Sequence, residues 1–338
     1  MKTLILGDLH LKKIESKIEN EYRHRVLKEV SRYIKKNKIK KVLQLGDFFD
    51  TRRALDISVI DETRAILDKY FKGVHITTIA GNHDVYFKST NDICSTASIF
   101  KDNKNITVIT EPTESEFGLL LPWINKENYN KTIEMIEASK SKYCFGHLEI
   151  NGFAKVKGFN ETNGLKPSIF KKFDKTISGH FHLVQGDKKS GIYYIGSMFQ
   201  NDFSDVFDIK HMMVIDKTLE SVMIHQEFFT KLHITEKSLK CDTEEIANQL
   251  NNNRFELILN CKKTIERENF LDKLYDKIEH SEYKTIDNAE LLEEEVEIAI
   301  SEDVSEMFLE FVESVDKSDK EKEALKTLYL ETREGMKK

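Results

Sequence analysis

The fold is decided by the stretch Ile76-Thr77-Thr78-Ile79-Ala80-Gly81-Asn82-His83-Asp84. Its β-branched first half predicts a buried strand that ends at Gly81. An amide, an imidazole and a carboxylate follow directly, and all three are metal-ligand types. A glycine turn in which Asn82 and Asp84 bond to nearby backbone would give the same short pattern. The choice between these interpretations depends on whether the rest of the chain supplies further ligands.

Two strand ends upstream repeat the pattern. A short apolar strand over residues 3–6 leads into Gly7-Asp8-Leu9-His10, and a strand that begins at residue 42 leads into Gly46-Asp47. Helical periodicity separates them at residues 20–36 and again at about 57–70. The resulting order β-α-β-α-β predicts a largely parallel sheet whose carboxyl edge carries the chemistry.

Two strand ends downstream do the same. Residues 143–145 lead into Gly146-His147, and residues 175–178 lead into Gly179-His180-Phe181-His182. Further strands are predicted at 106–108, 118–123, 191–195 and 212–216, with a helix at 127–140. The predicted class is therefore α/β, with one sheet or a pair of packed sheets extending to about residue 228.

The candidate ligands share one position, the carboxyl end of a predicted strand. A lone histidine is more often a structural residue than a ligand, but a set of eight at five equivalent strand ends is hard to explain by packing. Imidazole, carboxylate and amide donors suit Mn²⁺, Fe²⁺ or Zn²⁺ better than Ca²⁺ or Mg²⁺ alone. So many ligands fit two metals about 3.5–4 Å apart that share a carboxylate, the arrangement used in phosphoester hydrolysis. The set is Asp8, His10, Asp47, Asn82, His83, His147, His180 and His182.

Length and composition indicate the class of protein. At 338 residues the chain is long enough for two domains with appendages. The apolar run at the N-terminus is too short for a signal peptide, and no run approaches the roughly 18 apolar residues of a membrane span. The four cysteines are scattered without a Cys-x-x-Cys pair, so we expect them to be reduced. These features predict a soluble cytoplasmic protein that does not use a membrane.

The net charge of −6 is unevenly distributed. Residues 287–316 contain 12 acids and no Lys or Arg, so subtracting these acids leaves +6 for the rest of the chain. Basic clusters at 35–41 and at Lys171-Lys172 are therefore candidates for contact with phosphates. Each cluster taken alone is better explained by a solvated helix end.

The ordered motifs Gly-Asp-Leu-His, Gly-Asp, Gly-Asn-His-Asp, Gly-His and Gly-His-Phe-His resemble those of the calcineurin-like metallophosphoesterases. The resemblance implies a four-layer fold in which two packed mixed sheets are flanked by helices. It further implies that one metal is held by Asp8, His10, Asp47 and His182. The other would be held by Asp47, Asn82, His147 and His180, with Asp47 bridging. His83, oriented by Asp84, would assist the transition state or protonate the leaving oxygen.

Within that superfamily the chain is most similar to the SbcD-type recombination nucleases, including those of tailed bacteriophages. The similarity lies in Gly46-Asp47-Phe48-Phe49-Asp50, Leu121-Pro122-Trp123, residues 146–153 and Tyr194-Ile195-Gly196-Ser197. It implies two Mn²⁺ ions, with Mg²⁺ or other divalent ions possible. It also implies exonuclease action on double-stranded DNA, endonuclease action on single-stranded DNA, a coiled-coil ATPase partner of the SbcC type and a homodimer in the cytoplasm of a host cell. One departure is Met198, where many relatives carry proline.

The rest of the chain carries no ligand pattern. Residues 229–285 mix a strand at 255–259 with a helix at 266–278, which predicts a small α+β domain; the resemblance makes it a cap that positions DNA. Residues 286–302 read as an acidic linker, and residues 303–338 as two amphipathic helices. Phe308, Phe311 and Val312 would form a face that binds the ATPase, unless the helices pack on the protein's own core.

Two other functions share the same core. A phosphatase or nucleotide hydrolase would use the same two metals but would not need the additional C-terminal modules. A scaffold that binds DNA ends with vestigial catalysis would not need a complete ligand set. The complete motifs together with the additional modules therefore favour a nuclease.

Overall fold

The computed structural model describes residues 2–289 apart from 207 and 217, together with 312, 322 and 323. The predicted acidic linker beyond 289 and most of the predicted terminal helices lie outside the described residues. The helices are α1 Lys17–Asn37, α2 Ile57–Tyr70, α3 Ser95–Phe100, α4 Tyr129–Ala138, α5 Thr243–Leu250 and α6 Ile265–Tyr275. Short 3-10 helices occur at Pro167–Phe170, Phe203–Asp205 and Ser238–Lys240.

Seventeen strands are present in the described part of the chain. They are β1 Thr3–Leu6, β2 Lys41–Gln44, β3 His75–Ile79, β4 Ile106–Ile109, β5 Thr113–Glu114, β6 Leu119–Leu121, β7 Tyr143–His147, β8 Ala154–Val156, β9 Phe159–Asn160, β10 Lys175–Gly179, β11 Gln185–Asp187, β12 Ile192–Tyr194, β13 His211–Ile215, β14 Leu219–Met223, β15 Phe229–Thr235, β16 Arg254–Asn260 and β17 Glu282–Asp287.

Two six-stranded mixed sheets form the centre of the fold. The first has the order β14-β13-β1-β2-β3-β4, and the second has the order β11-β12-β10-β7-β6-β5. Strands β1 to β4 are parallel, as are β12, β10, β7 and β6. The antiparallel strands lie towards the edges. The carboxyl ends of the parallel strands are therefore grouped within each sheet.

Alternation along the strands explains the layering. In β1, Leu4 and Leu6 belong to the core that includes α1 and α2, whereas Ile5 belongs to a core shared with Phe145 and Ile177 of the second sheet. A third cluster packs α4 and the first 3-10 helix on the second sheet. Because successive side chains point to opposite faces, apolar residues at every position bury both faces of a strand. The predicted α/β class, with two packed mixed sheets flanked by helices, is thus confirmed.

Helix α1 is capped at both ends. The Ser16 hydroxyl accepts the Glu19 N–H at 3.3 Å, and Lys38 closes the helix in the left-handed conformation. Its buried face carries Tyr22, Val26, Val30 and Ile34, which are spaced by one turn. Burying this face leaves the opposite face of the helix for solvent.

The chain forms two compact units. The first comprises Met1–Leu232, Asp242–Leu257 and Lys273–Lys284, and the second comprises His233–Cys241 and Ile258–Asp272 with the segment that begins at Thr285. Strands β15, β16 and β17 form a three-stranded sheet with β16 in the middle. Among the described residues, no helix is both long and apolar enough to cross a membrane.

Two glycines, Gly179 and Gly81, lie where strand ends and loops come into close contact. A Cβ on Gly179, at the end of β10, would overlap the Asp8 carboxylate and the Leu45 carbonyl of the other sheet. A Cβ on Gly81 would overlap the backbone and carboxylate of Asp47. Glycine at these positions therefore allows strand ends of different sheets and loops to lie in contact.

We expect Gly179→Ala to lower the free energy of unfolding by about 1–3 kcal/mol, because the new methyl group must displace packed atoms. Gly73→Ala is the control, since Gly73 has open space around its Cα but a φ of 76°. It should cost about 1 kcal/mol through backbone strain alone. Chemical denaturation measures both values. Only Gly179→Ala should also reduce divalent-metal binding, and metal binding equal to wild type would contradict the proposed contact with Asp8.

Candidate metal centre

The structure brings the predicted ligands together from both large sheets. Asp8 and His10 follow β1, Asp47 follows β2, and Asn82 follows β3 in the first sheet. In the second sheet, His147 ends β7, while His180 and His182 follow β10. All belong to the first compact unit. Residues that are far apart in sequence therefore meet because parallel strands place their carboxyl ends at one edge.

A first ligand group consists of Asp8, His10 and His182. The Nε2 atoms of His10 and His182 lie 2.9 Å apart, and each is 3.8 Å from Asp8 Oδ2. The Asp8 carboxylate also accepts the His180 N–H at 3.1 Å, which fixes the loop after β10 against the loop after β1. Three ligand atoms from two sheets thus converge on one point.

A second ligand group consists of Asp47, His147 and His180. His147 Nε2 lies 3.3 Å from Asp47 Oδ2 and 2.8 Å from Asn82 Oδ1. Asp47 Oδ2 also lies 3.8 Å from His10 Nε2, in the first group. The Asp47 carboxylate is therefore placed between the two groups, as expected for a bridging ligand.

The orientation of His147 suits a cation. Its Nδ1–H donates to the Leu45 carbonyl at 2.8 Å, so the lone pair of Nε2 faces the oxygens of Asp47 and Asn82. Acceptors that face one another in a buried site need a positive charge between them. Burial works to lower the pKa of His147, but the Asp47 carboxylate outweighs it and raises the pKa to about 9. The donor set and its geometry therefore fit a divalent metal.

The pKa shifts of three further groups also come from burial and from neighbouring charges. Burial is the main cause that raises the pKa of Asp8, to about 6. The charge of His147 partly opposes this effect, and the charge of Asp47 adds to it. Burial raises the pKa of Asp47 too, but His147 and His10 outweigh it and hold that pKa well below its usual range. Burial and the proximity of His10 lower the pKa of His182 to about 3. The site thus favours neutral imidazole at His182 and a carboxylate at Asp47, the forms that bind metals.

Three of the predicted ligands have strained backbones. His10, Asp47 and His180 have φ values of 43°, 51° and 83°, in the left-handed region that favours glycine. Such a conformation costs on the order of 1–3 kcal/mol at a residue other than glycine. It persists because neighbouring bonds hold it: the Asp47 carbonyl accepts the N–H groups of Leu9 at 3.1 Å and His10 at 3.0 Å.

His83 lies beside the first ligand group, but its partner is not the one that was predicted. Its Nδ1–H donates to the backbone carbonyl of Asp50, and its ring meets that of His10 edge to face with centroids 5.0 Å apart. The Asp84 carboxylate instead accepts the N–H groups of Gly81 at 2.9 Å and Phe48 at 3.1 Å. The prediction that Asp84 orients His83 is therefore wrong, because Asp84 points into the protein and ties the loops after β2 and β3 together.

Two carboxylates near the site were missed by the sequence analysis. Asp50 Oδ1 lies 3.2 Å from His10 Nδ1, and Glu149 Oε1 lies 3.2 Å from His180 Nε2. Asp50 therefore faces one ring nitrogen of His10, and Glu149 bonds to one ring nitrogen of His180. Both residues stand inside motifs quoted above, at Gly46–Asp50 and at Gly146-His147-Leu148-Glu149, but nothing in their local spacing shows which histidine they face.

Two further contacts hold the ligand loops. The buried ammonium of Lys210 donates to Asp205 at 2.8 Å, to Asp208 at 2.7 Å and to the His182 carbonyl at 3.2 Å. Met198 donates its N–H to the Asp8 carbonyl at 2.9 Å. A proline at position 198 has no N–H and could not make this bond. Met198, which departs from the family pattern, therefore adds a hydrogen bond to the backbone of the candidate ligand Asp8.

A family model for calcineurin-like phosphoesterases matches residues 1–260. The chain belongs to the calcineurin-like phosphoesterase family, an enzyme class that hydrolyses phosphate esters with divalent metals. Exonuclease subunit 1 of Enterobacteria phage T4 is 27% identical over 344 residues, which cover 95% of this chain and 96% of that protein. The SbcD component of the nuclease SbcCD of Staphylococcus epidermidis is 26% identical over 269 residues, which cover 69% of this chain and 70% of that protein. The predicted resemblance is thereby confirmed.

We expect Asp50→Ala to weaken the binding of a divalent metal ion about 10- to 100-fold, because His10 loses the carboxylate that faces its Nδ1. The backbone carbonyl that accepts from His83 is retained in this variant. Asp102→Ala, at an exposed position, is the matched control and should bind like wild type. Calorimetric titration with Mn²⁺ measures both. Wild-type affinity in Asp50→Ala would show that His10 needs no such support.

Proposed function

We propose that this protein is a two-metal DNA nuclease that acts as a 3′–5′ exonuclease on duplexes and an endonuclease on single strands. The observation that carries the proposal is the pair of ligand groups with the Asp47 carboxylate between them. Two relatives named as nucleases, one of them aligned over 95% of the chain, support DNA as the substrate. Its place would be in recombination and double-strand-break repair.

The ligands divide as the family pattern implies. Asp8, His10, Asp47 and His182 would hold one ion, and Asp47, Asn82, His147 and His180 would hold the other. Two bound divalent ions, Mn²⁺ by preference, would supply Lewis-acid stabilisation of the phosphoryl group and lower the pKa of water. The chain's part is to hold these ligands in fixed positions before substrate arrives.

His83 is placed to handle a proton. Because its Nδ1–H is committed to the Asp50 carbonyl, its Nε2 is the atom that exchanges a proton. We assign His83 as the general acid that protonates the leaving oxygen. Asp84 acts as a positioning residue, since it holds the Gly81 turn from which Asn82 and His83 project.

A groove beside the centre has the size and lining for a nucleotide. It measures about 960 Å³ and is lined by Trp123 and Tyr129, by Lys126 and Lys166, and by His147 itself. Tyr129 is 46% exposed, so its ring is available for stacking. Aromatic rings with nearby cations suit a base and its phosphate better than a small phosphate monoester.

We expect His83→Ala to lower kcat on labelled DNA with Mn²⁺ by about 10²- to 10⁴-fold, because the leaving oxygen loses its proton donor. Bound metal, measured by elemental analysis, should be unchanged. His225→Ala removes an exposed histidine and is the matched control.

Equal rates in wild type and His83→Ala would remove His83 from the reaction. Hydrolysis of p-nitrophenyl phosphate without cleavage of single- or double-stranded DNA would instead favour a phosphatase or nucleotide hydrolase with the same core.

We propose further that the protein works as a homodimer with an SbcC-type coiled-coil ATPase. Both relatives are named as subunits, and one is named as part of SbcCD. Phe308 and Phe311 of the predicted binding face lie outside the described residues. Val312 is described and is completely buried, so its side chain is not available to a partner in this state.

Deleting residues 303–338 should abolish capture of the ATPase while leaving the metal content unchanged. Co-purification with the tagged ATPase and elemental analysis test this expectation. Loss of cooperative unfolding in the truncated chain would place these residues in the protein's own core, and retained capture would place the binding face elsewhere. Light scattering of the full chain gives the oligomeric state.

A further inference from the structure

A basic groove lies between α1 and α2, outside the metal centre. It has a volume of about 670 Å³. Among the described residues, six basic side chains and one acid, Glu21, line it. The basic residues are His24, Arg25, Lys28, Arg32, Lys35 and Lys69.

The cations of α1 form one stripe. Arg25, Lys28, Arg32 and Lys35 are separated by three or four residues, the spacing that places side chains on one face of a helix. This face is opposite to the buried one, and Lys28, Arg32 and Lys35 are exposed. The stripe runs about 15 Å along the helix axis, at 1.5 Å per residue.

Within the part of the chain that the structure describes, these cations do not form the ion pairs that other cations of α1 form. Lys17 lies 3.9 Å from Glu21 and Arg23 lies 3.6 Å from Glu19. Across residues 2–289, by contrast, Lys28, Arg32, Lys35 and Lys69 form no ion pair with an acid. The Glu29 carboxylate, on the same helix, accepts the His225 N–H and the Gln226 side-chain amide. Four of the groove's cations are therefore not paired with a carboxylate in the described part of the protein.

The helix that bears the stripe also supports the metal centre. Arg23 is buried and donates to the His10 carbonyl at 3.1 Å, while the next residue, His24, bonds to the Tyr70 hydroxyl at 3.0 Å in the groove. The groove and the first ligand group therefore belong to one compact unit joined through α1.

A polyanion is the occupant that this charge pattern fits. One strand of duplex DNA presents about four phosphates over 15 Å of helix axis, which matches the four cations of the stripe. A second copy of this chain fits less well, because a two-fold interface would bring the same uncompensated cations towards one another. The charge therefore favours nucleic acid over self-association at this surface.

We propose that the basic groove binds the phosphate backbone of duplex DNA and holds the substrate during cleavage. This inference rests on the proposed nuclease function, which makes DNA the polyanion that the chain meets. The contacts are to phosphates, so the groove contributes affinity that does not depend on base sequence.

The test uses the triple variant Lys28→Ala, Arg32→Ala, Lys35→Ala in the full chain. Its control is Lys101→Ala, Lys104→Ala, Lys140→Ala, which removes the same charge from exposed positions elsewhere. Binding to a fluorescent blunt 30-base-pair duplex is followed by anisotropy with EDTA, between about 50 and 200 mM KCl, the range over which phosphate contacts give a measurable salt dependence. Hydrolysis of bis(p-nitrophenyl) phosphate with Mn²⁺ reports the state of the catalytic centre.

The groove variant should weaken duplex binding at least about 10-fold and reduce the slope of log K against log salt by about 3, since three phosphate contacts are lost. The control variant should bind within about twofold of wild type, and the small ester should be hydrolysed equally by all three proteins. Equal binding by the groove variant, or equal weakening in both variants, would overturn the proposal. So would a change in oligomeric state by light scattering without a change in DNA binding, since the groove would then be an interface between copies.

Failure of this inference is distinguishable from failure of the nuclease function. If wild type cleaves DNA with Mn²⁺ but the groove variant binds as wild type does, only the groove assignment is lost. If wild type binds DNA through the groove but hydrolyses only the small ester, the nuclease function is lost and the groove assignment stands.

Discussion

The arrangement of the site depends on one buried carboxylate, that of Asp47. Its Oδ2 atom lies 3.3 Å from His147 and 3.8 Å from His10, and its Oδ1 atom accepts the His83 N–H at 2.7 Å. Its backbone carbonyl accepts two further N–H groups from the loop after β1. A single residue in a strained conformation thus sets the positions of three loops and of both ligand groups, which is why glycine at position 81 must leave room for it.

A second property of the site is that four of its imidazoles have an oxygen close to one ring nitrogen. Backbone carbonyls accept from His147 and His83, and carboxylates face His10 and His180. Fixing one ring nitrogen selects the tautomer and leaves the other nitrogen to bind a metal or exchange a proton. The candidate ligands are consequently preorganised. Burying hydrogen-bond acceptors close to one another is unfavourable in free energy, and the packing of the two sheets behind them offsets this cost.

The metal core is common to the family, so it does not by itself select a substrate. The features that suit a nucleic acid lie outside it, in the groove with Trp123 and Tyr129 and in the uncompensated cations of α1. Both surfaces belong to the same compact unit as the centre. Their chemistry is what a polymeric phosphodiester needs and a small monoester does not, because a polymer can bind through phosphates and bases remote from the scissile bond.

The sequence by itself determined the main elements and pointed to the candidate ligands that the structure brings together. Predicted helices at 20–36 and 57–70 appear as Lys17–Asn37 and Ile57–Tyr70, and the recurrence of glycine before a ligand located all five loops, because periodicity and turn chemistry are local. Short strands such as Thr113–Glu114 were missed, since only their partner strands define them.

Only the tertiary structure decided which groups face each other. Asp84 is adjacent to His83 yet points away, and the group that holds His83 is the Asp50 carbonyl, 33 residues away in the chain. The side chains of adjacent residues point in different directions. In a site built from strand ends, the hydrogen-bond partner of a side chain therefore comes from the loop after another strand.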